Sequence, residues 1–344
     1  MTTTRTHPRA ARPVIRTEGL TRHFTRHKAT VEAVRGLDLE VGRGELVAFL
    51  GPNGAGKSTT LRLLTTLIEP TSGTAEVAGY DVVRQRREVR RSIGYVGQGN
   101  AAGHAQRGRD ELVSQGRAFG LSRAAAYARA EELLESFDLT EQAMRPVSTL
   151  SGGQRRRLDV AIGLVHTPTL LFLDEPSTGL DPQNRVNLQE QVRRLHDELG
   201  TTIVLTTHYL EEADAIADRV VVIDHGRVIA DDTASRLKSG LGDLVTLGFA
   251  TETEATTGAW HADLALGSSA EVVREGTVVR VRAPHGADAA PGLVTELAWQ
   301  GIPVTRMEVV SATLDDVFLE LTGRSLRETD AKSESDTDNE GAAA

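Results

Sequence analysis

The sequence contains no cysteine and few aromatic residues: there are two tryptophans in 344 residues, and Phe, Trp and Tyr together make up 4%. The absence of thiols excludes disulfide bonds, thiol catalysis and thiolate metal sites. So few aromatic side chains leave little material for an aromatic-lined pocket. This argues against a protein that sequesters a hydrophobic compound by itself.

Long hydrophobic runs are also missing. No apolar run approaches the roughly 20 residues that a membrane-spanning helix needs, and the first 14 residues lack the apolar core of a secretion signal. We therefore expect any role at a membrane to go through a partner. A broad basic field is absent as well, because the formal net charge is -9, so we expect no nucleic-acid partner.

The pattern of apolar and polar residues divides the chain into segments. Short apolar runs alternate with helical patterns as far as residue 238, and this alternation predicts an α/β domain with a mainly parallel sheet. Further strand-like and helical stretches predict a small C-terminal α+β domain. The expected segments are a flexible N-terminal tail at 1–13, the α/β domain at 14–238 with a helical subdomain at about 100–165, the small domain at 239–324, and a disordered acidic tail at 325–344.

A glycine-rich segment, GPNGAGKST, follows the apolar run GELVAFL and precedes a helical stretch. It matches a phosphate-binding loop, in which glycines let backbone N–H groups face phosphate oxygens and the helix N-terminus adds positive potential. Lys57 should reach the terminal phosphates, and Ser58 should hold Mg²⁺ through its hydroxyl. A glycine turn with a chance lysine is the weaker interpretation, because strand, loop and helix occur in the required order. The predicted phosphate-binding residues are Gly51, Pro52, Asn53, Gly54, Ala55, Gly56, Lys57, Ser58 and Thr59.

Polar residues follow three other predicted strands. The run TLLFLDEP places Asp174, which fits a direct or water-mediated Mg²⁺ contact, before Glu175, which fits a base or polariser of an attacking water. His208 follows the strand TTIVLTT, where it could hydrogen-bond the γ-phosphate and orient Glu175 or water. Gln98 ends the strand SIGYVG and could reach Mg²⁺ or the attacking water. A lone histidine or glutamine is more often structural, so these assignments depend on the neighbouring phosphate loop.

A second glycine-rich segment, LSGGQRRR, has two adjacent glycines beside a serine but no lysine, so it cannot be a complete phosphate-binding loop. In order along the chain stand GPNGAGKST, Gln98, LSGGQ, LLFLDEP, STGLD and TTH. Over residues 14–238 this order resembles the ATP-binding subunit of an ABC transporter. The resemblance implies a P-loop ABC-type nucleotide-binding domain that hydrolyses ATP with Mg²⁺.

The resemblance also implies an assembly. ATPase subunits of the family pair head to tail, and each ATP lies between the phosphate loop of one subunit and the LSGGQ segment of the other. In such a homodimer Ser151, Gly152 and Gly153 would approach the γ-phosphate, and the opposite subunit's Lys57 would supply the missing lysine. ATP-driven dimerisation and hydrolysis would then alternate. The other residues implied by the resemblance are Gln154 in the same segment, Asp181 at the seam between the two sites, and Phe24 stacked on adenine.

Three segments indicate which subfamily of ABC transporter ATP-binding subunits the chain resembles. TLDDVFLELTGR, GGQRRRLDVA and THYLEEAD are similar to daunorubicin/doxorubicin-resistance ATP-binding subunits, which pair with a separate small permease and export drugs or other hydrophobic compounds. This implies a peripheral ATPase at the cytoplasmic face of the membrane, bound to an integral-membrane permease. The Ala- and Gly-rich stretch GNAAGHAQRGRDEL departs from the subfamily where such ATPases touch their permease. We expect the domain at 239–324 to be a stabilising or regulatory appendage.

Two other functions fit parts of the pattern. A non-transport ABC ATPase, for example a ribosome-associated factor, usually carries two ATPase domains, whereas this chain has one set of motifs. DNA-repair members separate their halves by a long coiled coil, for which the motif spacing leaves no room. A non-catalytic protein that binds a drug directly lacks the aromatic residues for a pocket. Association with a membrane protein would favour transport, and co-sedimentation with ribosomes would favour the non-transport alternative.

Overall fold

The computed structural model describes residues 12–26, 29–99, 103 and 105–323 of the chain. The chain divides into two compact units, Met1–Asp231 and Asp232–Ala344, each of which forms its own fold. The predicted tails at 1–13 and 325–344 lie outside the described residues, apart from residues 12 and 13. None of the described helices is both long and apolar enough to cross a membrane.

Strands and helices alternate along the first unit. Its strands are β1 (Ile15–Arg26), β2 (Ala29–Val41), β3 (Leu46–Leu50), β4 (Ser72–Val77), β5 (Tyr80–Asp81), β6 (Ile93–Val96), β7 (Leu170–Asp174), β8 (Thr202–Thr207), β9 (Arg219–Asp224) and β10 (Arg227–Asp232). Its helices are α1 (Lys57–Leu64), α2 (Arg86–Ser92), α3 (Gly108–Ala118), α4 (Arg123–Ser136), α5 (Gly152–Leu164), α6 (Pro182–Leu199) and α7 (Leu210–Ile216).

A six-stranded sheet with the order β10-β9-β3-β8-β7-β6 forms the centre of this unit. From β9 to β6 every neighbouring pair runs parallel, which confirms the predicted α/β class. Strands β3, β7 and β8 are buried at every position. Their sequences are therefore continuous apolar runs, as is usual for parallel strands that are covered on both faces.

A second, antiparallel sheet has the order β2-β1-β4-β5. Its apolar side chains join those of α1 and of the parallel sheet in one hydrophobic core. Members of this core include Ile15 and Leu20 of β1, Val34 of β2, Phe49 of β3, Leu61 of α1, Phe172 of β7 and Val204 of β8. Helices α3, α4 and α5 contact one another and form a helical layer beside β6 and β7.

The second unit has an antiparallel sheet with helices, as the predicted α+β class requires. Its strands β11 (Asp243–Gly248), β12 (Glu271–Glu275), β13 (Val278–Ala283) and β14 (Arg306–Val310) take the order β12-β13-β11-β14. Its helices are α8 (Ala234–Leu241), α9 (Glu252–Leu266), α10 (Gly286–Trp299) and α11 (Leu314–Thr322). Helices α9 and α10 pack on the sheet around Leu247, Val279 and Val281, while α8 contacts α11.

Candidate active site

The carboxyl ends of the parallel strands bring the predicted site residues to one edge of the sheet. Gly51 follows β3, Gln98 lies two residues beyond β6, Asp174 ends β7, and His208 follows β8. Because parallel strands all end at the same edge, residues distant in sequence meet there. This edge is therefore where the chemistry of the first unit is concentrated.

The backbone of the phosphate loop is closed to any side chain at two of its glycines. A Cβ on Gly51 would lie 2.1 Å from the carbonyl oxygen of Ile223, and one on Gly56 would lie 2.4 Å from that of Ala33. Gly56 also has φ 105° and precedes α1 without a side-chain cap. The N–H groups of the first turn of α1 are therefore available to an anion, and the loop fits a phosphate.

Lys57 places a buried cation inside this loop. It is 4% exposed. Its Nζ donates to the carbonyl oxygens of Gly51 (2.6 Å) and Pro52 (3.0 Å) and lies 3.7 Å from Glu175 Oε1. The ammonium group is thus held beside both the loop and the acidic strand end, where it can neutralise phosphate charge.

Asp174 is fully buried and is surrounded by hydroxyl groups. Ser58 Oγ donates to its Oδ1 at 2.7 Å, Thr206 Oγ1 donates to the same oxygen at 2.8 Å, and Tyr95 OH lies 3.4 Å from Oδ2. Burial and the neighbouring Asp174 raise the pKa of Tyr95. These hard oxygen donors suit Mg²⁺. Within the described part of the chain no group of three His, Cys, Asp or Glu residues could hold a metal ion.

Glu175 has a backbone with φ 46°, which a residue with a side chain rarely adopts. Its N–H donates to Thr206 Oγ1 at 2.9 Å, and its Oε2 accepts from Thr178 Oγ1 at 3.1 Å and lies 3.4 Å from His208 Nδ1. Burial raises the pKa of Glu175, but His208 and the charge of Lys57 outweigh this effect, so the pKa lies below its ordinary value. The side chain is therefore a carboxylate at neutral pH, able to polarise and orient a water molecule.

The LSGGQ segment starts α5 through a capping box. Ser151 Oγ accepts from the N–H of Gln154 at 3.2 Å, and Gln154 Oε1 accepts from the N–H of Ser151 at 3.0 Å. The side chain of Gln154 closes the helix N-terminus, and its predicted contact with nucleotide stays a prediction. A Cβ on Gly153 would lie 2.3 Å from Asn184 Oδ1, whereas one on Gly152 would meet nothing within 4 Å. Ser151 and Gly152 are exposed.

Asp181 is the N-cap of α6 and also holds Asn184. Its Oδ1 accepts from the N–H of Asn184 at 2.9 Å, and its Oδ2 accepts from Asn184 Nδ2 at 2.6 Å. These bonds lower the pKa of Asp181. Asn184 lies against Gly153 at the start of α5. Asp181 of the STGLD segment therefore supports the start of this helix through Asn184.

The two remaining predicted residues are placed at the surface. Gln98 is exposed. Phe24 lies on β1 opposite Val31, with 37% of its surface exposed and the Arg22 guanidinium carbon 4.6 Å from the ring centre. An exposed ring on the antiparallel sheet can stack on a flat ligand.

Several residues of the site were not predicted. Thr206 links Asp174 and Glu175 through one hydroxyl, and Tyr95 lies against Asp174. Glu212 in α7 is 2% exposed and accepts a hydrogen bond of 3.0 Å from Ser177. The position of Thr206 near the end of a buried strand was the only available signal, because it shares that edge with the acids.

Comparisons with known proteins identify related sequences. A family model described as ABC transporter matches residues 34–178. The daunorubicin resistance ATP-binding protein DrrA2 of Streptomyces coeruleorubidus is 45% identical over 303 residues, which span 87% of this chain and 93% of that protein. The linearmycin resistance ATP-binding protein LnrL of Bacillus subtilis is 35% identical over 301 residues, or 86% of this chain and 95% of that protein.

Solved structures share the fold of the first unit. A dimer of the ATP-binding cassette MJ0796, bound to ADP and phosphate after hydrolysis, superposes with a TM-score of 0.59 at 24% sequence identity. The match covers 64% of this chain and 98% of that one. The likeness establishes the architecture in which the strand-edge cluster is placed.

Proposed function

The chain belongs to the family of ABC transporter ATP-binding proteins, and we propose that it powers export of a hydrophobic, drug-like compound through a separate integral-membrane permease. As a member of this family it binds and hydrolyses ATP. The proposal concerns what the hydrolysis drives, how the subunits assemble, and which residues act on the nucleotide.

The observation that carries the proposal is the cluster at the carboxyl edge of the parallel sheet. It combines the Lys57 ammonium, the Ser58–Asp174 pair and the Glu175–His208 pair within one set of contacts. These are the groups that phosphoryl transfer to water needs: a cation, oxygen ligands for a metal, and a carboxylate that orients the nucleophile.

Each side chain then has a defined task. Lys57 binds the terminal phosphates, while the N–H groups of residues 51–59 bind the phosphate oxygens. Ser58 and Asp174 would hold Mg²⁺, with Gln98 as a further oxygen donor, and the ion would neutralise phosphate charge. Glu175 accepts a hydrogen bond from the attacking water, and His208 orients Glu175 and donates to the γ-phosphate. Phe24 stacks on the adenine.

A head-to-tail homodimer completes the site. Ser151 and Gly152 are exposed, and they begin a helix whose N-terminus is suited to an anion. The segment contains no lysine, so a partner's phosphate loop supplies the cation. The dimeric form of the related cassette MJ0796 supports this arrangement. Asp181 lies at the seam, and the residues at 14–238 act as the ATP-binding domain with 239–324 as its accessory domain.

The transport role rests on the relatives. One is a daunorubicin resistance protein and another a linearmycin resistance protein, and both align over almost their whole length. In the proposed arrangement a separate permease provides the path across the membrane. The chain then sits at the cytoplasmic face as a peripheral subunit.

A purification and transport experiment tests this proposal. The tagged full chain should co-purify from detergent-solubilised membranes with a polytopic membrane protein. Inside-out vesicles that contain the pair should take up daunorubicin when ATP is added, and Lys57→Ala should abolish the uptake. Recovery with ribosomes instead, together with no ATP-dependent uptake, would support a non-transport ATPase and overturn the export proposal.

A further inference from the structure

The second arginine of LSGGQRRR is buried and binds four backbone carbonyl groups. Arg156 is 8% exposed. Its Nε donates to the carbonyl oxygen of Pro176 and its Nη1 to that of Gly97, each at 2.7 Å. Its Nη2 donates to the carbonyl oxygens of Asp174 (3.2 Å) and Glu175 (3.4 Å). One planar guanidinium group thus joins the ends of β6 and β7 to α5.

These carbonyl groups belong to the segments that carry the proposed chemistry. Gly97 directly precedes Gln98, and Glu175 has the strained φ of 46°. Such a backbone conformation persists only when the surroundings hold it. Thr206 accepts from the N–H of Glu175, while Arg156 binds its carbonyl oxygen, so the strained residue is fixed on both sides.

The neighbouring arginines bind elsewhere. Arg155 Nη2 donates to the carbonyl oxygen of Val147 at 3.2 Å, and Arg157 Nη1 donates to that of Phe137 at 3.1 Å. Arg157 therefore attaches α5 to the end of α4, and Arg155 attaches it to the turn that precedes LSGGQ. Of these three arginines, Arg156 is the one that reaches the edge of the sheet, and it is the most buried.

We propose that Arg156 is a positioning residue that couples the two ATP sites of the dimer. Helix α5 begins at the LSGGQ segment, which contacts the partner's ATP in the proposed dimer. Five residues after Ser151, Arg156 fixes the loop that holds Glu175 beside the chain's own ATP. A displacement at either site is thereby passed to the other through one rigid helix. This inference rests on the proposed head-to-tail dimer.

The test uses Arg156→Lys in the full chain. Lysine keeps the charge, but a single ammonium cannot bind all four carbonyl groups at the ends of β6 and β7 as the planar guanidinium does. ATP binding should stay within about twofold of the parent, while the hydrolysis rate at saturating ATP should fall about tenfold. The Hill coefficient for ATP should drop from above one to one. Arg155→Lys is the matched control and should keep the parental rate, affinity and Hill coefficient.

Mixed dimers separate coupling from a local defect. In a dimer with one Arg156→Lys subunit and one parental subunit, a purely local effect on Glu175 leaves about half of the parental rate. Coupling lowers the rate well below half, because the parental subunit's site is disturbed as well. Half of the parental rate with unchanged cooperativity would overturn the proposal. If the buried lysine prevents folding, Arg156→Gln keeps donors without charge and is judged by the same readouts.

The outcomes also distinguish this inference from the proposed assembly. A parent that stays monomeric with ATP and shows a Hill coefficient of one refutes the composite dimer and, with it, the coupling. A cooperative, dimeric parent with an equally cooperative Arg156→Lys variant refutes the coupling alone.

Discussion

The two glycine-rich segments of the first unit, the phosphate loop and LSGGQ, differ in whether neighbouring atoms of the same chain require their glycines. In the phosphate loop, a side chain at Gly51 or Gly56 would strike backbone oxygens of the same fold. In LSGGQ, Gly153 is closed by Asn184, but Gly152 faces open space. The phosphate loop is thus shaped from within. No described residue excludes a side chain at the exposed Gly152 of LSGGQ. In the proposed dimer, the partner's ATP would be the group that requires a glycine there.

The largest expected effect removes the cation from the phosphate loop. Lys57→Ala deletes the ammonium that lies between the loop carbonyls and Glu175. We expect ATP hydrolysis to fall by about 1,000-fold or more, since both binding and charge neutralisation are lost. Phosphate release and fluorescent ATP binding measure this, with the exposed Arg87→Ala as control. A rate within twofold of the parent would mean that GPNGAGKST is not the nucleotide site.

Glu175→Gln should separate binding from hydrolysis. The amide keeps the size of the side chain but cannot accept a proton or polarise water as a carboxylate does, so turnover should fall by about 100-fold or more. ATP binding should persist, and the variant should accumulate as a dimer in size-exclusion chromatography with ATP. A monomer with ATP bound would contradict the composite site.

The two glycines of LSGGQ should respond in opposite ways. Gly153→Ala places a methyl group on Asn184, whose side chain Asp181 holds, and should cost about 1–3 kcal/mol of unfolding free energy. Gly152→Ala should leave the melting temperature unchanged but lower hydrolysis about tenfold, because the methyl group obstructs the partner's phosphate.

The control for the first change is Asn184→Ala, which removes the clash and should restore part of the stability of Gly153→Ala. Parental hydrolysis in Gly152→Ala would show that this open position meets no nucleotide. The difference between the phosphate loop and LSGGQ would then give no support to a contact between Gly152 and the partner's ATP.

The smallest expected effect concerns Glu212 of α7, which accepts a hydrogen bond from Ser177 in the loop after β7. Burial raises its pKa above the ordinary 4.5, although bonds from Thr207 and Ser177 act in the opposite direction. The folded state therefore holds this proton more tightly than the unfolded state, so the group stabilises the fold less as pH rises above 4.5. Glu212→Gln cannot ionise, so its unfolding free energy relative to the parent should be constant below this pH and should increase above it. Chemical denaturation at several pH values measures this, and the exposed Glu211→Gln should show no such trend.

Much of the fold could be predicted because its signals are local. Apolar runs such as Leu170–Asp174 require a buried strand, and residues that follow such strands must share one edge of the sheet. Helix α9 was not predicted, because its buried face consists of the small residues Ala255, Gly258 and Ala262 and so shows little hydrophobic periodicity. Phe249, which directly follows β11, fills the space at Gly258. The large apolar side chain in this contact therefore comes from Phe249 and not from α9, so the sequence of α9 lacks the usual helical pattern.

The site was predictable only where sequence order defines it. Asp174 ends a strand, Glu175 and His208 directly follow strands, and their roles on the nucleotide stay predictions. Arg156 and Thr206 act through contacts with residues remote in sequence, which no spacing reveals. The capping role of Gln154 did have a signal, since a serine three residues before a glutamine is the pattern of a capping box.

The open position of Gly152 has a genetic consequence. A substitution at Gly153 destabilises the fold, so less of the altered subunit accumulates in the cell and a second, intact gene copy compensates for it. A substitution at Gly152 leaves a folded subunit that can still load ATP through its own loop. Such a subunit occupies intact partners unproductively. Alleles at these adjacent glycines should therefore differ in dominance: recessive at position 153 and dominant at position 152.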